Sequence, residues 1–157
     1  LGPSMIEVPQ VEEISTVIDA FANFYYPQKG KRSWGPSRSP QTNEHPKRLD
    51  YAEWWNAHGI LWMQLESIKA VTQAKEFAKA GADVLSWGPN DLAFSRESNL
   101  DHSLKTDDDC ITHVLKELKE SSTKLCLRTY GDEQLARYEQ MGATMFLDET
   151  SNAQAPY

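Results

Sequence analysis

Two acids carry the chemistry this sequence offers. Glu66 closes the run Ile60-Leu61-Trp62-Met63-Gln64-Leu65, and Asp91 follows Val84-Leu85-Ser86-Trp87 after the short segment Gly88-Pro89-Asn90. Gly and Pro end strands, because Pro has no N–H for a ladder and Gly has no side chain to pack. Both acids therefore fall at the carboxyl ends of consecutive strands, one βα unit apart. Neighbouring strands lie about 4.8 Å apart, so the side chains can converge. Two oxygens on one Mg2+ need a separation of only about 3 Å, given metal–oxygen distances near 2.1 Å. Two carboxylates plus water suit a hard divalent cation, Mg2+ or Mn2+, with positions left for a substrate. A 2-oxo acid would chelate through its carboxylate and keto oxygens, and the metal would stabilise an enolate as charge develops. The N–H groups of the Gly88 to Asp91 turn would face the substrate carboxylate. Gln64, on the same side of its strand as Glu66, would hydrogen-bond the keto oxygen. Each acid alone has a plainer role as a helix N-cap.

The elements that must position these groups alternate along the chain. Met5 to Val8 reads as a strand stopped by Pro9. Val11, Ile14, Val17, Ile18 and Phe21 follow at helical spacing, with Glu12 and Glu13 expected in the first turn, where the helix dipole favours acid. From Tyr25 to Pro46 the chain holds Pro27, Gly30, Gly35, Pro36, Pro40 and Pro46, which reads as a long loop. A short helix is expected over Leu49 to His58, ended by Gly59. Then come strand Ile60 to Leu65, helix Ser67 to Ala80, strand Val84 to Trp87 and an irregular stretch from Ala93 to Thr106. Helix Asp107 to Ser121, strand Lys124 to Leu127, helix Asp132 to Met141 and strand Ala143 to Leu147 complete the pattern. Gly81 and Gly142 fall where helix C-caps belong. Parallel neighbours need a crossover, so this alternation predicts an α/β fold with a parallel sheet of about five strands. Periodicity leaves two architectures open, a doubly wound sheet or part of an eight-stranded barrel.

The totals narrow the class. A chain of 157 residues, 39% hydrophobic and 25% charged, is expected to form one domain over residues 1–157. A mean hydropathy of -0.61 and the lack of a long apolar run predict a soluble protein with no membrane span. The net charge of -7, with no stripe of Lys and Arg among aromatics, argues against a nucleic-acid partner. Two cysteines, Cys110 and Cys126, suit a reducing compartment, so a cytoplasmic location is expected. No GxGxxG, GxxxxGK[ST] or GxSxG motif appears.

"WMQLES" followed by "AGADVLSWGPNDLAFS" resembles the paired signature of the HpcH/HpaI aldolase family, the class II pyruvate-dependent aldolases. "MIEVPQVEEISTVIDAFANFYYPQKGKRSWGP" is similar to that family's strand, helix and Gly-x-Arg-Gly loop, and "YGDEQLARYEQMGATMFLDET" to its closing helix and strand. The resemblance runs in order through nearly the whole chain, and Gly88-Pro89-x-Asp91-Leu92 is its most specific part. It implies a (β/α)8 TIM barrel, of which this chain would supply the last five or so units. It implies Glu66 and Asp91 as ligands of Mg2+ or Mn2+, and Gln64 beside the keto oxygen. Gly88, Pro89 and Asn90 match the substrate-carboxylate turn, and Arg32 matches the loop arginine, counted with the substrate-binding residues.

The implied reaction is a carbon–carbon lyase step on a pyruvate-like 2-oxo acid and an aldehyde. The family's catalytic His and its substrate-binding Arg belong to strands before Leu1, so the catalytic residues are unassigned. His45, His58, His102 and His113 match none of those positions and read as surface or packing residues. Trp87 stands where a smaller apolar residue is usual, Ser33 where a glycine is, and Phe146-Leu147-Asp148-Glu149 where Gly-Ser-Asp is. Within enzymes the alternative is an acyl-CoA lyase of the citramalyl or malyl type. The alternative outside enzymes is a degenerate, non-catalytic barrel fragment with a structural or partner-binding role. Five strands would leave open parallel edges, which predicts a homo-oligomer or pairing with another chain. Trp34, Trp54, Trp55, Tyr25 and Tyr26 are candidates to line that interface.

Overall fold

The computed structural model describes residues 4–35, 44–45 and 47–148. Pro36, Pro40, Pro46 and Glu149, which figure in the sequence reading, lie outside the described residues. Five strands, β1 (Met5–Val8), β2 (Ile60–Leu65), β3 (Val84–Trp87), β4 (Lys124–Thr129) and β5 (Met145–Asp148), form one parallel sheet in the order β1-β2-β3-β4-β5. That order decides between the two architectures. A doubly wound sheet reverses its strand order at a switch point, whereas a barrel adds each strand beside the last. This sheet has no reversal.

The helices are α1 (Ile14–Phe24), α2 (Arg48–His58), α3 (Ile68–Thr72), α4 (Ala74–Lys79), α5 (Pro89–Glu97), α6 (Asp107–Glu117) and α7 (Asp132–Gln140). They bury one face of the sheet. Leu61, Met63, Leu65, Leu85, Trp87, Leu125 and Leu127 join Val17, Phe77, Ile111 and Val114 in a single core. The opposite face carries a small apolar cluster, Trp62, Val84 and Cys126, with Ile60 and Met145 packed against it. Beyond it, toward the carboxyl ends, the same face turns polar with Gln64 paired to Ser86. One dry face and one face graded from apolar to polar is the cross-section of a barrel wall. No described helix is long and apolar enough to cross a membrane.

Several boundaries differ from expectation. α1 begins at Ile14 with Glu13 as its N-cap, so neither Glu12 nor Glu13 lies in the first turn. Val11 is buried ahead of the helix, and Ile18 is exposed rather than part of the stripe. The helix expected over Ser67 to Ala80 breaks at Gln73, whose side chain donates to the Glu12 carbonyl at 2.8 Å. Ala93 to Glu97, expected to be irregular, continues α5, and β4 runs on through Arg128 to Thr129. Gly81 and Gly142 do take the left-handed conformation at helix ends, with φ of 108° and 98°.

The aromatics proposed for an interface are mostly core. Tyr25, Tyr26 and Trp55 are buried, because the chain after α1 folds back under α2. Trp55 Nε1–H donates to the Phe24 carbonyl at 2.9 Å, and Asn56 Oδ1 accepts the Tyr26 N–H at 2.9 Å. Trp34 alone of the five is exposed, and Trp54 is half-buried. Of the sheet edges, β1 exposes Met5 and Ile6, and β5 exposes Leu147.

Candidate active site

The register of β2 against β3 sets Leu65 opposite Trp87, so the next residues, Glu66 and Gly88, stand side by side past the strand ends. Gly88 is required there by space. A Cβ at that position would lie 2.5 Å from Glu66 Cγ and 3.1 Å from Gln64 Nε2, so any side chain would displace the acid. Glu66 is also held from the other side, where its Oε2 accepts the Gln10 N–H at 2.7 Å. Gln10 makes that bond from a left-handed backbone, φ 51°, which non-glycine residues adopt at a cost.

Gly88 is the N-cap of α5, and Pro89 occupies its first position, where a missing N–H loses nothing. The Gly88 N–H itself goes to the Leu65 carbonyl at 3.1 Å. The anion-facing turn expected over Gly88 to Asp91 therefore narrows to two donors. The first-turn N–H groups of Asn90 and Asp91 have no carbonyl within the helix to reach, and they lie at the positive end of its dipole. Asp91 is exposed, and α5 has no side-chain cap. Ser67, rather than Glu66, caps α3, its Oγ accepting the Ala70 N–H at 3.1 Å. Neither acid is the N-cap of the helix it precedes or begins.

Gln64, Glu66, Gly88, Pro89, Asn90 and Asp91 line one hollow of about 160 Å³, which Arg128 and Tyr130 close from the side of β4. These last two escaped the sequence reading, which ended the strand at Leu127. The alternation Lys124, Cys126, Arg128 was the available signal, since it puts a cation on the inner face in line with Ser86 and Cys126. Deeper on that face, the Ser86 hydroxyl donates to the Glu7 carboxylate. Burial pushes the Cys126 thiol up to about 11, with Glu7 adding to the shift and Arg128 opposing it.

Other candidates lie elsewhere. Arg32 is not among the residues lining the hollow. Its guanidinium packs over the Trp55 and Tyr26 rings, 4.2 and 4.9 Å from their centroids, and its Nη1 reaches the Phe24 carbonyl at 3.5 Å. Trp87 faces the helices within the core and does not narrow the hollow. His45 and His58 stack on Trp54, and His102 Nδ1 accepts the Leu104 N–H. Among the described residues no group of three or more His, Cys, Asp or Glu is placed to hold a metal. Two carboxylates with water and substrate completing the shell is the arrangement Mg2+ commonly takes, and the donor set fits it.

No protein-family model and no curated protein sequence matches the chain. Solved structures do. An HpcH/HpaI aldolase/citrate lyase family protein from Burkholderia cenocepacia J2315 superposes with a TM-score of 0.74 at 20% identity over 94% of this chain. An HpcH/HpaI aldolase from Desulfitobacterium hafniense DCB-2 gives 0.73 at 20% over 98%. The fold is that of the HpcH/HpaI aldolases. The citrate synthase SbnG shares it, with a TM-score of 0.73 at 23% identity over 94% of this chain. The chain covers 59%, 62% and 56% of those three structures, so it spans a little over half of their length. The family resemblance read from the sequence and the partial barrel it implied are borne out at the level of fold.

Proposed function

We propose that this chain carries the 2-oxo-acid half of a metal-dependent carbon–carbon lyase. One observation carries the reading: Glu66 and Asp91, from the ends of adjacent parallel strands and free of capping duty, line one hollow with Gln64. The fold shared with aldolase, aldolase/citrate lyase and citrate synthase structures supports it.

Glu66 and Asp91 would hold Mg2+ or Mn2+, which supplies positive charge to stabilise an oxyanion developing on the substrate. Around it, the residues of the chain bind and orient a small pyruvate-like acid. Gln64 donates its amide N–H to the keto oxygen. The Asn90 and Asp91 N–H groups hold the carboxylate at the helix N-terminus. Gly88 keeps Glu66 in place by leaving room for it, and Gln10 fixes its rotamer through the backbone. The hollow, at about 160 Å³, is smaller than the roughly 300–1,000 Å³ of pockets that take drug-sized ligands, which favours a small acid. The proton transfer needs a group beyond these, since no His is among the lining residues.

Mn2+ binding, followed by water proton relaxation with and without oxalate, tests the reading. Mn2+ should bind, oxalate should perturb it, and Glu66→Gln and Asp91→Asn should each abolish it in a folded chain. A folded parent chain that takes no Mn2+ would leave a barrel fragment with a structural or partner-binding role.

A further inference from the structure

We infer that Ser95 is a positioning residue that fixes the spacing of Glu66 and Asp91, and so favours a small cation such as Mg2+ over Ca2+. The inference rests on the metal-dependent lyase reading and adds to it a basis for the choice of metal. Ser95 Oγ accepts the Ile68 N–H at 3.1 Å, a bond that crosses from α5 to α3. Ile68 is the first residue of α3, two positions after Glu66, and Ser95 lies on α5 one turn beyond Asp91. A second bond joins the same two segments on the other side of the acids, from the Gly88 N–H to the Leu65 carbonyl at 3.1 Å. Glu66 therefore sits between Leu65 and Ile68, and Asp91 sits between their partners, Gly88 and Ser95. The backbones that carry the two acids are tied at both ends, and neither tie uses a carboxylate.

Local rules do not ask for a serine at this position. Ser67 already caps α3 through the Ala70 N–H, and serine inside a helix is a poorer choice than alanine, because its hydroxyl competes for backbone partners. What Ser95 supplies is an acceptor for the N–H of Ile68, which begins a helix and has no carbonyl there to reach. Ile68 is buried, so that N–H depends on a protein partner. Mg2+ demands near-ideal octahedral geometry at about 2.0–2.1 Å, whereas Ca2+ accepts roughly 6–8 oxygens at about 2.3–2.6 Å in flexible shells. A pair of carboxylates held at fixed spacing favours the smaller ion, and a loosened pair loses Mg2+ first.

The test follows Mn2+ by water proton relaxation on the full chain, with Mg2+ and Ca2+ affinities read from their displacement of Mn2+. Ser95→Ala should weaken Mg2+ binding about tenfold, the lower end of the effect of losing an outer-shell partner. Ca2+, with its flexible shell, should weaken by no more than about twofold. Ser95→Thr, which keeps the acceptor, should restore the parent ratio. Ser95→Cys, close in size but with a weak acceptor, replaces the alanine variant if that one fails to fold. Equal loss of both ions, which a merely structural role would give, overturns the inference. So does an unchanged Mg2+ affinity, or a threonine variant that behaves like alanine. Hydrogen exchange at the Ile68 amide, measured without metal, reads the tie itself. It should quicken about tenfold or more in Ser95→Ala and return to the parent rate in Ser95→Thr. An unchanged rate overturns the tie. A parent chain that takes no Mn2+ defeats the lyase reading and the metal preference together, and the exchange rate then decides whether Ser95 joins α3 to α5.

Discussion

Two aspartates bracket β3, and they have opposite fates. Asp83, just before the strand, is consumed by the protein. Its Oδ2 accepts the Leu61 N–H at 2.8 Å and the Tyr25 O–H, and the Tyr25 oxygen also lies 3.0 Å from the Gly59 carbonyl. Burial first, then the hydrogen bond to Asp83, hold the Tyr25 phenol far above its ordinary range. Asp91, just after the strand, is exposed beside a hollow and caps nothing. The two acids have the same chemistry and flank the same strand. What separates them is whether the chain brings donors to the carboxylate, and that divides an acid that holds the fold from one that is available to a ligand.

Breaking each acid in turn sharpens the contrast. Asp83→Ala strands the Leu61 N–H and the Tyr25 hydroxyl, so the unfolding free energy should fall by about 2–5 kcal/mol. Urea titration measures that loss, and Mn2+ affinity of the folded protein should not change. Asp91→Asn should do the reverse. Mn2+ affinity should drop by about 100-fold or more, beyond the roughly 10–100-fold cost of losing an outer-shell partner, while stability stays within about 0.5 kcal/mol. Equal destabilisation by the two substitutions would end the distinction.

Gly88→Ala tests the site through packing. The new methyl must push Glu66 aside, so metal affinity should fall roughly tenfold alongside an overpacking cost of about 1–3 kcal/mol. Unchanged Mn2+ binding there would mean that Glu66 is not a ligand. The smallest effect is expected from Tyr25→Phe. Asp83 keeps the Leu61 N–H, so the loss should be about 1–2 kcal/mol, read as a shift in the urea midpoint with no change in metal affinity.

The two acids were legible in the sequence because strand endings are local. A Gly-Pro after an apolar run stops a strand whatever surrounds it, and the carboxyl end follows from chain direction. Arg128 was not legible to the same depth. A charged residue after Leu125, Cys126 and Leu127 reads as the edge of a strand, and only pairing with β5 carries the ladder on to Thr129. The break at Gln73 is likewise tertiary, since its side chain answers a carbonyl that precedes α1. The Pro- and Gly-rich run from Tyr25 read as a long loop, yet its first residues are core. Tyr26 is covered by α2, and the Tyr25 hydroxyl reaches Gly59 and Asp83, contacts that no periodicity within the run encodes. The ends of elements that stop for local reasons could be placed, and those that continue because of a neighbour could not.

The contact between Gln10 and Glu66 bears on how freely this chain can vary. The donor is a backbone N–H, so the identity of residue 10 is nearly irrelevant to Glu66. Glycine or asparagine would supply the same bond with less strain at a positive φ. Proline is the exception, having neither the donor nor the dihedral. The acid proposed to hold the metal is thus secured by a position at which sequence comparison would find little to notice.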